Sequence, residues 1–162
     1  MNTKSESEIY LEAKNCLKLQ KWTILGGQPP KGSDHLPIIE IKMEVGRKRG
    51  SEDAFKPDLV CIKNSRILIV ELKPRYDIGD HEKLMSFLDS QERIRNLMSE
   101  LYLRKLIHES QALENQFLIN GCLGFSGNSP AIDPLWRLKV EENGSELIAC
   151  AIKSDIRATI IR

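Results

Sequence analysis

Three residues whose side chains could cooperate in hydrolysis lie close together in the sequence: Asp58, Glu71 and Lys73. Asp58 opens one short apolar run, and Glu71-Leu72-Lys73 closes the next one. Carboxylate oxygens suit Mg²⁺, which keeps several waters and usually takes only one or two protein carboxylates. A lysine beside such a pair can orient or help deprotonate an attacking water, or stabilise charge developing on a phosphate. These residue types are the equipment needed to hydrolyse a phosphodiester bond.

The two apolar runs are separated by Asn64-Ser65 alone, which predicts a β-hairpin of residues 58–63 and 66–73 with a two-residue turn. A tight turn at that point places Asp58 directly opposite Glu71. Directly opposed residues have Cβ atoms about 4.5–5.5 Å apart. The sequence therefore predicts that the two carboxylates meet across the hairpin.

Strand side chains alternate, so Asp58, Glu71 and Lys73 are expected to project from one face at the same end of the hairpin. Two like charges opposed on a sheet are unfavourable unless something neutralises them, and a divalent cation would do so. The backbone carbonyl of Leu72 is a further candidate ligand. The pattern thus indicates a metal site of two carboxylates with a lysine beside it.

The alternative interpretation is that Asp58, Glu71 and Lys73 are ordinary exposed strand residues. Glu40-Ile41-Lys42 repeats the same acid-x-lysine triplet, so the triplet by itself is weak evidence. That second triplet lacks an acidic partner on a preceding strand, because Asp34 lies in a loop only six residues before it. The hairpin context favours the catalytic interpretation.

Pro57-Asp58, twelve intervening residues and then Glu71-Leu72-Lys73 at the end of an aliphatic strand resemble the PD-(D/E)xK, or restriction-endonuclease-like, superfamily. Its common core is an αβββαβ unit, and the predicted element order matches it over most of the chain. The resemblance implies an α/β fold with a mixed central sheet flanked by helices, here with an added C-terminal β-hairpin. It also implies a DNA endonuclease that uses Mg²⁺ or Mn²⁺. By the same resemblance, Asp58 and Glu71 are the metal ligands and Lys73 is the catalytic lysine.

Many members of that superfamily add a glutamate from the first helix as a metal ligand. Glu8 and Glu12, one turn apart in the first predicted helix, are the candidates, and Glu8 stands at the more familiar distance before Trp22. Either residue can instead be an ordinary solvated glutamate, which is the commoner fate of such side chains.

Apolar spacing predicts the remaining elements around the hairpin. Ser5 and Glu8 fit a capping box at the start of the first helix. Glycines and prolines over residues 26–32 are expected to break all regular structure. The predicted elements are a helix over 5–20, a strand over 39–45, one long helix from Asp80 to about Ile107, a core strand over 117–125, and a final hairpin of 135–140 and 146–152 through Asn143-Gly144.

The 162 residues suit one domain, 1–162, with 41% hydrophobic and 29% charged residues. The longest aliphatic run, residues 67–70, is far short of a membrane span. The four cysteines are scattered, which favours reduced, buried thiols in a cytoplasmic protein over zinc ligands or disulfides. Membrane partners are therefore not expected.

The net charge of +1 does not by itself indicate DNA, since phosphate contacts usually require basic protein surface. Any binding surface must be local, and Arg47-Lys48-Arg49 is the best candidate, although such clusters are usually solvated loops. The chain is too short for a separate recognition domain. Cutting both strands would call for a homodimer, a partner subunit in a larger complex, or a structured substrate. A non-catalytic nucleic-acid-binding or regulatory subunit with a nuclease-like fold is the alternative function.

Overall fold

The computed structural model describes residues 4–42, 54–151 and 155–160. Within these ranges the chain is a mixed α/β protein with three α-helices and a mixed sheet of seven strands. The helices are α1 (Glu6–Leu19), α2 (Ile78–Leu88) and α3 (Gln91–Leu103), and a 3₁₀ turn follows at Glu109–Gln111. The strands are β1 (Thr23–Gly27), β2 (Leu59–Lys63), β3 (Arg66–Arg75), β4 (Phe117–Ser126), β5 (Trp136–Glu141), β6 (Gly144–Ile148) and β7 (Ile156–Ala158).

The sheet runs in chain order from β1 to β6. The pairs β1–β2, β2–β3 and β5–β6 are antiparallel, whereas β3–β4 and β4–β5 are parallel. The first residues of β4 also pair with β7, and its last residues pair with β5. Since parallel strands need a crossover, α2 and α3 connect β3 to β4. The mixed sheet expected from the sequence is present, and so is the final hairpin, although β6 ends at Ile148 rather than at residue 152.

Both faces of the central strands are covered. Val60, Ile62, Ile67 and Ile69 pack with α2 and α3, while the alternate residues of β2 and β3 pack with α1. Burial on both faces explains why β2 and β3 are almost continuously apolar. The residues at the end of this buried hairpin are consequently held by packing on two sides.

The first helix agrees with its prediction. Ser5 caps α1, and Ser5 and Glu8 form the expected capping box. Ile9, Ala13 and Leu17 form its buried face. None of the helices in the described ranges is both long enough and apolar enough to cross a bilayer.

The prediction that residues 26–32 break all regular structure was wrong at its start, because Gly26 and Gly27 belong to β1. A Cβ at Gly26 would lie 2.4 Å from Ile39 Cγ1 and 2.7 Å from the Pro37 carbonyl oxygen. The absence of a side chain at Gly26 therefore allows the segment containing Pro37 and Ile39 to pack against β1. The strand expected over 39–45 is reduced, in its described part, to a single bridge between Ile41 and Phe55, and residues 43–45 lie outside the described residues.

The single long helix predicted from Asp80 was also wrong. Asp77, not Asp80, caps α2, which ends at Leu88, and Ser90 caps α3 by accepting a hydrogen bond from the Arg93 N–H. The apolar stripe gave no sign of the break, because Phe87 and Ile94 are seven residues apart and so keep the helical phase. The apolar residues at helical spacing along this segment are buried or partly buried: Leu84, Phe87, Leu88, Ile94, Leu97, Met98, Leu101 and Leu106.

The thiols of Cys16, Cys61 and Cys122 are free and buried, as the sequence predicted. Cys150 is an exception, because it follows β6 and is only half-buried. Its Sγ lies 3.1 Å from Asp133 Oδ1.

Candidate functional site

The β2–β3 hairpin has the predicted register. Leu59 pairs with Val70, and Lys63 pairs with Arg66 across the two-residue turn. Asn64 adopts a φ of 56°, a left-handed conformation that asparagine tolerates in turns. Asp58 directly precedes β2, so the next step of this register places it opposite Glu71.

Glu71 is a buried carboxylate, with only 3% of its surface exposed. It continues the face of β3 that carries Ile67 and Ile69 toward α2 and α3. Its Oε1 atom has no hydrogen-bond partner among the described residues. A buried acceptor without a partner is costly, which marks this atom as a place where a cation would be stabilised.

Asp58 is fixed by the backbone of the opposite strand. Its Oδ2 accepts a hydrogen bond of 2.7 Å from the Leu72 N–H. The carbonyl of Asp58 accepts a second backbone hydrogen bond of 2.9 Å from Gln28, just after β1. Asp58 is therefore held on both sides, its backbone by Gln28 after β1 and its carboxylate by Leu72 of β3.

The two carboxylates line a cleft of about 290 Å³ at the end of the hairpin. Leu72 and Lys73 line it too, so the structure brings the core of the predicted site together. The first turns of α1 and α2 form the opposite walls, and the segment after β1 closes one side. The further lining residues are Glu6, Tyr10, Gln28, Pro29, Pro30, Lys56, Asp80 and Lys83.

A second lysine, which the sequence had not indicated, makes the closest charge contact in this cleft. Lys83 Nζ of α2 lies 3.0 Å from Glu71 Oε1 and 3.9 Å from Asp80 Oδ1. The contact with Oε1 is an ion pair without hydrogen-bonding geometry. Burial alone would lower the pKa of Lys83, but Glu71, Asp80 and Asp58 together outweigh it and raise that pKa.

Burial is also the main reason that the pKa of Glu71 lies far above its ordinary value of 4.5. The charge of Asp58 and a hydrogen bond with it raise the Glu71 pKa further, against the opposing effect of Lys83. Burial raises the pKa of Asp80 as well, although Lys83 and Lys73 counter it. A negative charge at Glu71 or Asp80 is thus poorly solvated, and a divalent cation would stabilise that charge in place of a proton.

Lys73 reaches the cleft from the end of β3, where the register with β4 shifts between Leu72 and Arg75. Its side chain is 40% exposed, and its Nζ lies 3.9 Å from Oε1 of Glu6 on α1. Lys73 therefore lies toward the α1 wall of the cleft, while Lys83 of α2 contacts the buried carboxylate. Both amines are partly exposed and line the cleft that a substrate would enter.

The two glutamates singled out on α1 have other partners. Glu8 accepts a hydrogen bond of 3.3 Å from the Ser5 N–H within the capping box, and Glu12 pairs with Lys4 at 2.7 Å. Neither lines the cleft, whereas Glu6 does. Helical spacing could have identified Glu6 in the sequence. Glu6 lies one turn before Tyr10, which also lines the cleft, whereas Glu8 lies on another side of α1.

Asp77, Asp80 and Lys83 carried a further signal that the sequence prediction missed. Two aspartates three residues apart compete for the N-cap of α2, and Asp77 takes it by accepting a hydrogen bond of 2.9 Å from the Asp80 N–H. Asp80 is then left inside the first turn, with Lys83 one turn further along. The predicted basic cluster Arg47-Lys48-Arg49 lies outside the described residues, but Lys56, close to it in the chain, lines the cleft.

The donor set fits a hard cation that keeps much of its water. No group of three or more His, Cys, Asp or Glu side chains arranged to hold a metal occurs in the described part of the chain. Mg²⁺ needs only one or two carboxylates, and Asp58 and Glu71 supply them, although Lys83 now lies at Oε1 of Glu71. No protein-family model, curated protein or solved structure matches this chain. Its function is therefore argued from the cleft itself.

Proposed function

We propose that this protein is a metal-dependent DNA endonuclease that hydrolyses phosphodiester bonds. The observation that carries the proposal is the buried carboxylate of Glu71 placed opposite Asp58, with one oxygen lacking a hydrogen-bond partner among the described residues. A protein has little reason to place a buried carboxylate beside a second, partly buried one unless a cation joins them, because the charges oppose each other. The lysine beside them extends the site from metal binding to hydrolysis.

In this proposal Asp58 and Glu71 hold Mg²⁺ or Mn²⁺, with the Leu72 carbonyl as a further candidate ligand. The bound cation would supply Lewis-acid polarisation of the phosphate and a more acidic attacking water. Lys73, which lines the cleft, would position or help to deprotonate that water and would face the charge that develops on the phosphate. Asp58 keeps its orientation through the Leu72 N–H.

The proposed fold is the restriction-endonuclease-like αβββαβ core. Its support is the element order α1, β1, β2, β3, α2–α3, β4, with an antiparallel β1–β2–β3 unit and β4 parallel to β3. The helical segment of the core is split into two helices here. The β5–β6 hairpin and β7 are additions at the far edge of the sheet.

DNA would approach the rim of the cleft, where Lys56 and Lys73 supply positive charge. With a net charge of +1, the chain offers a local basic surface rather than a global one. Double-strand cleavage would use a homodimer, a partner subunit or a branched substrate, since one cleft serves one strand.

The test is a cleavage assay with supercoiled plasmid, single-stranded DNA, branched DNA and an RNA of the same sequence. We expect cleavage with Mg²⁺ or Mn²⁺ and none with EDTA. Asp58→Ala and Lys73→Ala should each reduce the rate on the order of a hundredfold or more. Lys63→Ala is the matched control for Lys73, because Lys63 is an exposed lysine at the turn end of the same hairpin. Equal cleavage by wild type, Asp58→Ala and Lys73→Ala would overturn the assignment.

One observation favours the alternative of a non-catalytic nucleic-acid-binding or regulatory subunit. Lys83 already neutralises Glu71, so the carboxylate pair has a counter-charge within the chain. In that case the cleft binds no divalent cation, and the protein binds DNA without cutting it. Isothermal calorimetry with Mn²⁺ separates the two functions, because only the nuclease requires saturable binding that Asp58→Ala abolishes.

A further inference from the structure

Lys83 lies beside the Glu71 oxygen that is available to bind a cation. Its Nζ lies 3.0 Å from the one Glu71 oxygen that lacks a hydrogen-bond partner among the described residues. A divalent cation held by Glu71 through that oxygen would need the same space. An ammonium and a metal ion cannot share one oxygen at such distances without strong repulsion.

Two further contacts hold the ammonium at this point. Lys83 Nζ lies 5.3 Å from the centre of the Phe55 ring, and Phe55 is buried. It also lies 3.9 Å from Asp80 Oδ1, one turn back on α2. The aromatic face and the second carboxylate stabilise a cation at this place.

Lys83 is nevertheless free to leave Glu71. Its side chain is 46% exposed, whereas Glu71 is buried. A lysine side chain is flexible, and Asp80 offers its ammonium a second carboxylate at 3.9 Å. Lys73 has no comparable role, since its described ion pair is with Glu6 at the opposite wall.

We infer that Lys83 is an internal competitor of the metal: its ammonium neutralises the Asp58–Glu71 pair in the metal-free protein and withdraws to Asp80 when a divalent cation binds. This inference rests on the proposed metal site. It assigns Lys83 the role of setting metal affinity. The empty site is stable because Lys83 fills it electrostatically, and the metal binds more weakly because it must displace a charge.

The experiment is calorimetric titration of Mn²⁺ into the whole chain, without DNA, at one alkaline pH so that protons do not compete for the carboxylates. The proteins are wild type, Lys83→Gln, Lys83→Arg and the matched control Lys63→Gln. We expect Lys83→Gln to bind Mn²⁺ on the order of tenfold more tightly than wild type, because a repelling charge is gone. Lys83→Arg and Lys63→Gln should stay close to wild type.

Thermal unfolding supplies a second reading that does not depend on cleavage. Lys83→Gln should lower the melting temperature of the metal-free protein, while saturating Mn²⁺ should remove most of that difference. Equal Mn²⁺ affinities for wild type and Lys83→Gln would overturn the role of Lys83 and leave the metal site standing. Absence of saturable binding in all four proteins would overturn the proposed nuclease function and this inference together.

Discussion

The backbone N–H of Leu72 donates a hydrogen bond of 2.7 Å to Oδ2 of Asp58. This bond joins the residue before β2 to the residue after Glu71, so it fixes the spacing of the two carboxylates at the end of the hairpin. The hydrogen bond holds the Asp58 carboxylate in place, whereas the neighbouring Glu71 carboxylate repels it when both are charged. Asp58 is therefore placed by the backbone at a cost in charge repulsion.

Substitutions of Asp58 separate these two effects. Asp58→Asn keeps an oxygen that can accept from Leu72 and removes the charge, while Asp58→Ala loses both. We expect the free energy of unfolding of metal-free Asp58→Asn to equal or exceed that of wild type and to exceed that of Asp58→Ala by about 1–2 kcal/mol. Urea denaturation followed by circular dichroism measures the difference. Equal stability of the two variants would show that the Leu72 hydrogen bond contributes nothing to holding Asp58.

Glu71 makes stability depend on pH in the metal-free protein. Because burial and Asp58 raise its folded pKa above the unfolded value of 4.5, the folded state binds the proton more tightly. The stabilisation from this proton is complete below the unfolded pKa and is lost as pH rises through the folded pKa. We expect Glu71→Gln, which stays uncharged, to show a smaller loss of stability toward alkaline pH than wild type.

Melting curves at several pH values test the Glu71 prediction. The control is Glu8→Gln, a change of the same chemistry at a glutamate of the α1 capping box. Its pH profile should match that of wild type in the alkaline range. If Glu71→Gln and wild type lose stability in parallel toward alkaline pH, Glu71 is not the group that titrates there.

The hairpin could be predicted because its turn is local. The two-residue Asn64-Ser65 turn joins two apolar runs and fixes the register of β2 against β3. Asp58 and Glu71 follow from that register without knowledge of the rest of the fold. The N-cap of α1 is similarly local, since Ser5 and Glu8 satisfy each other.

Lys83 could not be found in this way. Its contact with Glu71 depends on how the crossover from β3 places α2 over the sheet, which no local pattern specifies. The break between α2 and α3 was missed for a different reason. A single side chain, that of Ser90, caps α3 and ends the continuous helix, while the spacing of the apolar residues continues unchanged. The prediction took Gly26 for a turn residue, because a glycine in the sequence is typical of a turn. In the structure this glycine lies in β1, where the absence of a side chain allows Ile39 to pack closely.

Asp34 ties the segment that closes one side of the cleft to α1. Its Oδ2 accepts hydrogen bonds of 2.5 Å from the Tyr10 hydroxyl and 2.8 Å from Lys14 Nζ. Burial would raise the pKa of Asp34, but these bonds outweigh it and lower that pKa to about 2. The stabilisation is present above the unfolded pKa of 3.8 and is lost as pH falls toward 2.

We therefore expect Asp34→Ala to reduce the free energy of unfolding at neutral pH by about 2 kcal/mol. Tyr10→Phe should cost about 1 kcal/mol, because Asp34 keeps Lys14 and the Leu36 N–H. Urea titrations at neutral pH and near pH 3 measure both. The Asp34→Ala deficit should shrink in acid, and a deficit that stays constant would contradict the assignment of this pKa.

Ser90 separates α2 from α3, and its Oγ accepts a hydrogen bond of 3.2 Å from the Arg93 N–H. Ser90→Ala should destabilise the protein by about 1 kcal/mol through loss of this cap. Ser86→Ala is the control, since Ser86 lies inside α2 and its described hydrogen bond, with Arg93, is exposed. It should change stability by less than about 0.5 kcal/mol. A larger loss in Ser86→Ala than in Ser90→Ala would contradict the role of Ser90.

Glu6 and Glu8 have different structural roles: Glu6 lines the cleft, and Glu8 belongs to the capping box of α1. Glu6 Oε1 lies 3.9 Å from Lys73 Nζ on an exposed part of the wall, so Glu6→Ala should leave stability almost unchanged. We expect it to lower the rate of DNA cleavage by about tenfold, because Lys73 loses the partner that holds it over the cleft.

Glu8→Ala should have the opposite pattern. It should cost about 0.5–1 kcal/mol of stability, and it should reduce cleavage only as far as it reduces the folded fraction. Cleavage rates and urea melts of both variants give the comparison. Loss of cleavage in Glu8→Ala but not in Glu6→Ala would instead make Glu8 the functional glutamate of α1, and would require its carboxylate to leave the Ser5 N–H when the metal binds.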